Sequence, residues 1–165
     1  VLDPVMVAAS GDRLIAPDAI ETLRRVLVPA ALLITPNLPE AAALLDTAMA
    51  RDEDEAAEQG RRLLALGCAA VLVKGGHGEG AESVDLLVDA SGVRRFSAPR
   101  IATRNSHGTG CTLSSAIAAG LAKGLALGDA VTAAKAYVTA AIAASDTLTI
   151  GHGHGPVHHF HAVWG

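Results

Sequence analysis

Aromatic residues are almost missing from this chain of 165 residues, which has two Phe, one Tyr and one Trp. Its core must therefore be built from Ala, Val, Leu and Ile, a composition suited to close packing of helices on a sheet. Cysteine is equally scarce: Cys68 and Cys111 are too few for a disulfide framework, and their surroundings differ. Cys68 precedes an apolar run, in Leu66-Gly67-Cys68-Ala69-Ala70, and reads as a buried small hydrophobe. Clusters of Lys and Arg are absent and the formal net charge is −4, which argues against an electrostatic footprint for nucleic acid. No signal peptide is visible. The longest apolar runs, near 113–122 and 136–144, are too short and too rich in Ala and Gly to span a bilayer. Internal repeats and low-complexity linkers are missing as well. Together these absences predict a soluble, cytosolic, single-domain protein with neither nucleic acid nor membrane as partner. Half the residues are apolar, enough for a sizeable core.

What is present alternates between strand and helix. Val1-Leu2 reads as the end of a strand running into Asp3-Pro4-Val5-Met6; with no initiator Met and no earlier element to pair with, further sequence is expected upstream. Residues 17–27 have helical spacing, and 30–34 form a short apolar strand stopped by Thr35-Pro36-Asn37. A helix is expected over 39–45, with Pro39 in its first turn, and an amphipathic helix over 52–66, ended by Gly67. The continuous apolar run at 69–73 has the character of a strand covered on both faces. Segments 84–89 and 93–98 flank Ala90-Ser91-Gly92 as a hairpin, and two Ala-rich helices follow over about 109–124 and 128–145. The pattern predicts an α/β domain with a mainly parallel sheet and a hairpin near one edge.

The segment Asn105-Ser106-His107-Gly108-Thr109-Gly110-Cys111-Thr112 stands out. Its glycines permit a tight turn and close approach of a ligand. The helix that starts there aims its unpaired N–H groups and the positive end of its dipole at that ligand, and the same groups favour the thiolate of Cys111. An anion hole and a base or nucleophile thus share one turn.

In open α/β sheets ligands gather beyond the carboxyl ends of the strands. Asp3, Thr35, Asn37, Glu40 and Lys74 fall there by sequence, so four loops are expected to meet at one crevice. Each residue alone has a plainer role. Asp3 is a turn residue before a proline, Asn37 and Glu40 a helix-start signal, Lys74 a solvated strand end, and the Gly-Thr-Gly-Cys turn a tight cap. Jointly they suit ATP. Asp3 and Glu40 could supply the one or two carboxylates that Mg²⁺ uses, and Lys74 a positive charge for a phosphate. The amides from Gly108 to Cys111 could hold the charge developing on a transferred phosphoryl group. A covalent role for Cys111 in a hydrolase or redox enzyme lacks a Cys–His–acid order or a C-x-x-C pair.

In order and spacing, Asp3-Pro4-Val5-Met6, Thr35-Pro36-Asn37-Leu38-Pro39-Glu40, Val73-Lys74-Gly75-Gly76-His77 and Asn105 to Ser114 resemble the hydroxymethylpyrimidine/phosphomethylpyrimidine kinases of thiamine biosynthesis. These belong to the pyridoxal-kinase branch of the ribokinase-like superfamily. The resemblance runs to Gly151-His152-Gly153-His154-Gly155-Pro156-Val157-His158-His159-Phe160, so it covers essentially the whole chain. It implies a single domain with a three-layer α/β/α ribokinase-like fold, and ATP-dependent phosphorylation of a pyrimidine hydroxymethyl group and then of the monophosphate. It makes Cys111, with Gly108 and Gly110, catalytic: the thiolate takes the place of an aspartate base. It assigns Lys74, Thr35, Asn37 and Thr109 to the nucleotide, and Asp3 and Glu40 to Mg²⁺. Pyridoxal kinase and a non-catalytic nucleotide-binding fragment are the alternatives. The family's N-terminal portion, with its glycine-rich substrate segment, does not occur in these residues, which alone are expected to bind substrate poorly. The histidines of the tail, His152, His154, His158, His159 and His161, have no Cys or carboxylate among them and read as a structural closing segment rather than metal ligands. The Ala/Gly faces of the last two helices suit packing or a homodimer equally.

Overall fold

The computed structural model describes residues 1–6, 14–76 and 80–164, and the chain divides into two compact units, Val1–Ser97 and Ala98–Gly165. His77 of the motif singled out above lies outside the described residues.

In the first unit the helical stretch runs further than its spacing suggested. Helix α1 (Pro17–Thr22) passes into a π-helical turn, Leu23–Leu27, and continues as α2 (Val28–Ala30). Pro29 has no N–H to donate and its ring crowds the carbonyl four residues back. The turn before it widens instead, and the Val28 N–H donates to the Leu23 carbonyl. Strand β1 is consequently short, Leu33–Ile34, rather than the five residues expected from 30–34.

Helix α3 (Leu38–Leu45) starts at an Asn37 cap with Pro39 in its first turn, and Asp46, in the left-handed region at φ 52°, ends it. Helix α4 (Glu53–Leu64) is capped by Asp52, whose carboxylate accepts from the Glu55 N–H at 2.8 Å. Glu53, Asp54 and Glu55 in its first turn and Arg61 and Arg62 in its last match the helix dipole.

Strand β2 (Ala70–Lys74) is buried at every position, as a strand covered on both faces must be. It pairs in parallel with β1, in the register Leu33↔Ala70, and antiparallel with β3 (Glu82–Asp89), from Ala70↔Asp89 to Lys74↔Asp85. β4 (Gly92–Pro99) closes the order β1-β2-β3-β4, so the hairpin does lie at one edge. Leu2 adds a parallel bridge to Ile34 on the other side of β1. The expected mainly parallel sheet is therefore corrected: its strands are mixed, parallel from Leu2 to β2 and antiparallel beyond. The reason is the link between β2 and β3, residues 75–81, since a parallel crossover needs a dozen residues or more. Leu33, Ile34, Leu44, Leu63, Val71, Leu72, Leu87 and Val88 form the heart of the unit, and no aromatic side chain appears among the buried described residues.

The second unit is built on α5 (Thr109–Ala122) and α6 (Leu127–Ala143), packed along each other and followed by a 3₁₀ turn, Ser145–Thr147. Ile117, Val131 and Ala141 are fully buried there. Among the described residues no helix is long and apolar enough to cross a membrane.

Candidate active site

Asp3, Thr35 and Lys74 follow or end three neighbouring parallel segments, which brings their side chains together. Leu2 donates its N–H to the Leu33 carbonyl at 2.8 Å and accepts from the Thr35 N–H at 3.0 Å, which fixes the start of the Asp3 loop beside β1. Lys74 Nζ lies 2.7 Å from Asp3 Oδ1, and the Thr35 hydroxyl donates to the same oxygen at 3.0 Å. Thr35 is fully buried and the Asp3 and Lys74 side chains nearly so, at 15% and 11% exposure. Asp3 Oδ2 is buried with no hydrogen-bond partner. A buried carboxylate oxygen is costly to leave unpaired.

Asn37 and Glu40 border this cluster. Asn37 forms a parallel bridge with Lys74, whose N–H donates to the Pro36 carbonyl at 2.8 Å. The Glu40 N–H donates to Asn37 Oδ1 and the Asn37 N–H to Glu40 Oε2, both at 2.8 Å, so the two residues cap α3 reciprocally. Burial pushes the Glu40 carboxyl above its ordinary value of 4.5 and the Asp3 charge adds to the rise; the Asn37 and Met6 amides and the Lys74 ammonium oppose it. Because the folded protein holds this proton where the unfolded chain has lost it, stability falls as pH rises above 4.5 through the folded pKa. Glu40→Gln keeps an oxygen for the Asn37 amide and removes that slope. Urea unfolding in chelator across this range should show a flatter profile for the variant, and an unchanged slope would exclude Glu40 as its source.

Two carboxylates, one with an orphaned oxygen, fit a divalent cation that keeps most of its waters. Among the described residues no group of three or more His, Cys, Asp or Glu gathers as a fully protein-ligated metal would require.

Asp85 was not singled out by sequence. It is 4% exposed, stands opposite Lys74 across β2 and β3, and accepts from the Gly75 N–H at 3.0 Å. Its signal was faint: a charged residue set directly against an apolar stretch of the hairpin. Gly75 is held closely, for a Cβ there would lie 1.9 Å from the Val84 carbonyl oxygen. Backbone would have to move. Gly75→Ala should destabilise the protein by about 2–4 kcal/mol, read by urea unfolding; a near-native value would refute the constraint.

The glycine turn belongs to the second unit. Gly108 is the N-cap of α5 at φ 82°, a conformation that glycine adopts without strain, while Gly110 sits inside the first helical turn. The Thr109 N–H and hydroxyl both donate to the Ser106 carbonyl, at 3.3 and 2.7 Å, and the Thr112 N–H to the Gly108 carbonyl at 2.9 Å. Cys111 is exposed in that first turn, whereas Cys68 is buried, its thiol pushed up by burial. A hollow of about 790 Å³ in this unit is lined by Thr103, Arg104, Asn105, Asp146 and His152 among others, and includes none of residues 108–111.

Solved structures share this fold. An ADP complex of Bacillus subtilis pyridoxal kinase is 35% identical and superimposes with a TM-score of 0.87, over 97% of this chain and 60% of that one. The chain thus has the α/β fold of the ribokinase-like kinases. The sequence profile of the family described as phosphomethylpyrimidine kinase matches residues 1–158, and the chain belongs to that family. Hydroxymethylpyrimidine/phosphomethylpyrimidine kinases of Salmonella typhimurium and Escherichia coli are 60% and 58% identical over 164 residues, 99% of this chain. The chain spans 62% of the length of each of these relatives.

Proposed function

We propose that the intact protein is a cytoplasmic, ATP-dependent kinase that phosphorylates 4-amino-5-hydroxymethyl-2-methylpyrimidine and then its monophosphate, for thiamine biosynthesis. The observation that carries this reading is the Lys74–Asp3 pair with one Asp3 oxygen left over, at the ends of adjoining parallel segments. It offers the cationic and anionic handles that a magnesium nucleotide needs. The names of relatives near 60% identity point to the same chemistry.

In this reading Asp3 and Glu40 hold Mg²⁺, directly or through water, and the bound ion neutralises phosphate charge. Lys74, Thr35, Asn37 and Thr109 contact the nucleotide. The amides of Gly108, Gly110 and Cys111 hold charge on the transferred group. The substrate oxygen attacks the γ-phosphorus, the bond to the ADP oxygen breaks, and the hydroxyl proton passes to Cys111 Sγ. Residues 1–165 form part of one kinase domain.

The fold shared with pyridoxal kinases keeps pyridoxal as the competing acceptor. Comparing kcat/KM of the full-length protein for the pyrimidine, its monophosphate and pyridoxal separates the two. Higher values for the pyrimidines are expected; a preference for pyridoxal would overturn the assignment.

A further inference from the structure

The histidine-rich tail is a sequence feature that the proposed chemistry leaves unused, yet it touches both ends of the glycine turn. Ahead of the turn, the His107 N–H donates to the Gly155 carbonyl at 3.1 Å and the Val157 N–H donates to the His107 carbonyl at 3.3 Å, forming a parallel bridge between His107 and Pro156. Behind it, His159 Nε2 lies 3.0 Å from the hydroxyl of Thr112, the residue after Cys111. The tail is itself anchored to α6: the His158 N–H donates to the Ala141 carbonyl at 2.9 Å, and the Tyr137 hydroxyl to the His159 carbonyl at 2.7 Å. Gly155 packs so closely on Asn105 that a Cβ would come within 2.1 Å of its Oδ1.

We infer that residues Gly155–His159 act as a strap that clamps the glycine turn at His107 and Thr112, with His159 a positioning residue for Cys111. A helix N-terminus frays unless its first turn is held, and the thiolate of Cys111 depends on amides that stay aligned. Thr112 is 9% exposed and can be held from the tail by His159, which is itself exposed. Removing the imidazole would take this partner from the Thr112 hydroxyl, on a residue that is otherwise largely shielded from water. The role in turnover rests on the kinase reading; the clamp itself does not.

The test separates them. In the full-length protein, His159→Ala should slow alkylation of Cys111 by iodoacetamide at pH 7.5 at least threefold, without substrates present. Cys68, buried, serves as the unreactive internal control. Thr112→Val should give the same slowing, and the double variant no more than either alone, as required when two changes remove one contact. In turnover, His159→Ala should lower kcat about tenfold, with KM for ATP within twofold and unfolding midpoint unchanged, while His159→Gln, which keeps a terminal nitrogen, restores most of the rate. Unchanged alkylation, additive single variants, or a loss that appears equally in KM and stability would overturn the clamp. Slowed alkylation in a protein that phosphorylates no pyrimidine would uphold the clamp and refute the proposed function instead.

Discussion

Cys111→Ala in the full-length protein should reduce kcat by about 10²–10⁴-fold, the range for a lost general base, and leave the KM for ATP nearly unchanged. The expectation follows from where the thiol sits. It is exposed in the first turn of α5, beyond a Gly108 cap whose φ of 82° turns the chain sharply into the helix. Nucleotide contacts in the proposed scheme lie mostly on Lys74, Thr35 and Asn37, so binding survives the change. Cys111→Ser should behave nearly as badly, because a hydroxyl in the same place is a far weaker acid than a thiol and its alkoxide is not available near neutral pH. Steady-state kinetics with varied ATP and varied pyrimidine decides the matter. Full activity in both variants would remove Cys111 from proton transfer and leave the turn with its amides alone.

Lys74→Met should cost both stability and activity. The Nζ–Oδ1 distance of 2.7 Å and the low exposure of both side chains make this a largely desolvated ion pair. Removing the cation leaves Asp3 with only the Thr35 hydroxyl on one oxygen and nothing on the other. An uncompensated carboxylate at that depth costs about 3 kcal/mol, a fall in Tm of roughly 6–12 °C. Pairing the change with Asp3→Asn should recover much of the stability and none of the activity. That contrast distinguishes a charge retained for a ligand from one retained for folding. Calorimetry of the single and double variants checks it, and a double variant no more stable than Lys74→Met would show that the pair is not the source of the loss.

Much of this cluster was legible in the sequence because local rules and the fold agree there. Asn37, Pro39 and Glu40 announce the start of α3, and the helix begins at Leu38, one residue from the expected start. The apolar run at 69–73 became β2, shifted by one residue, because a fully buried strand carries no alternation to blur. The hairpin turned out longer at both ends than its apolar stretch, since Glu82, Ser83 and Gly92 belong to the strands irrespective of side chain. Two things were not legible. The helix from Pro17 runs through Pro29 because a π turn absorbs the missing donor, a solution that periodicity does not encode. Asp85 reads as an ordinary polar position of a strand, and only the register with Lys74 shows that it holds Gly75. The length of 75–81, too short for a crossover, already favoured the antiparallel pairing that the strand–helix alternation obscured.

The reciprocal cap of α3 has a spectroscopic consequence. The carboxylate of Glu40 holds the Asn37 amide proton while the Glu40 amide proton is held in return. Solvent exchange of the Asn37 proton is therefore tied to the state of the Glu40 carboxylate, while the Glu40 proton answers to the Asn37 side chain. An ion or ligand that draws the Glu40 side chain out of the cap would release the Asn37 proton and leave the Glu40 proton on Asn37 Oδ1. An isotope-labelled amide at 37, read against the one at 40 as an internal reference, thus forms a built-in gauge of occupancy, readable under equilibrium conditions and without any turnover.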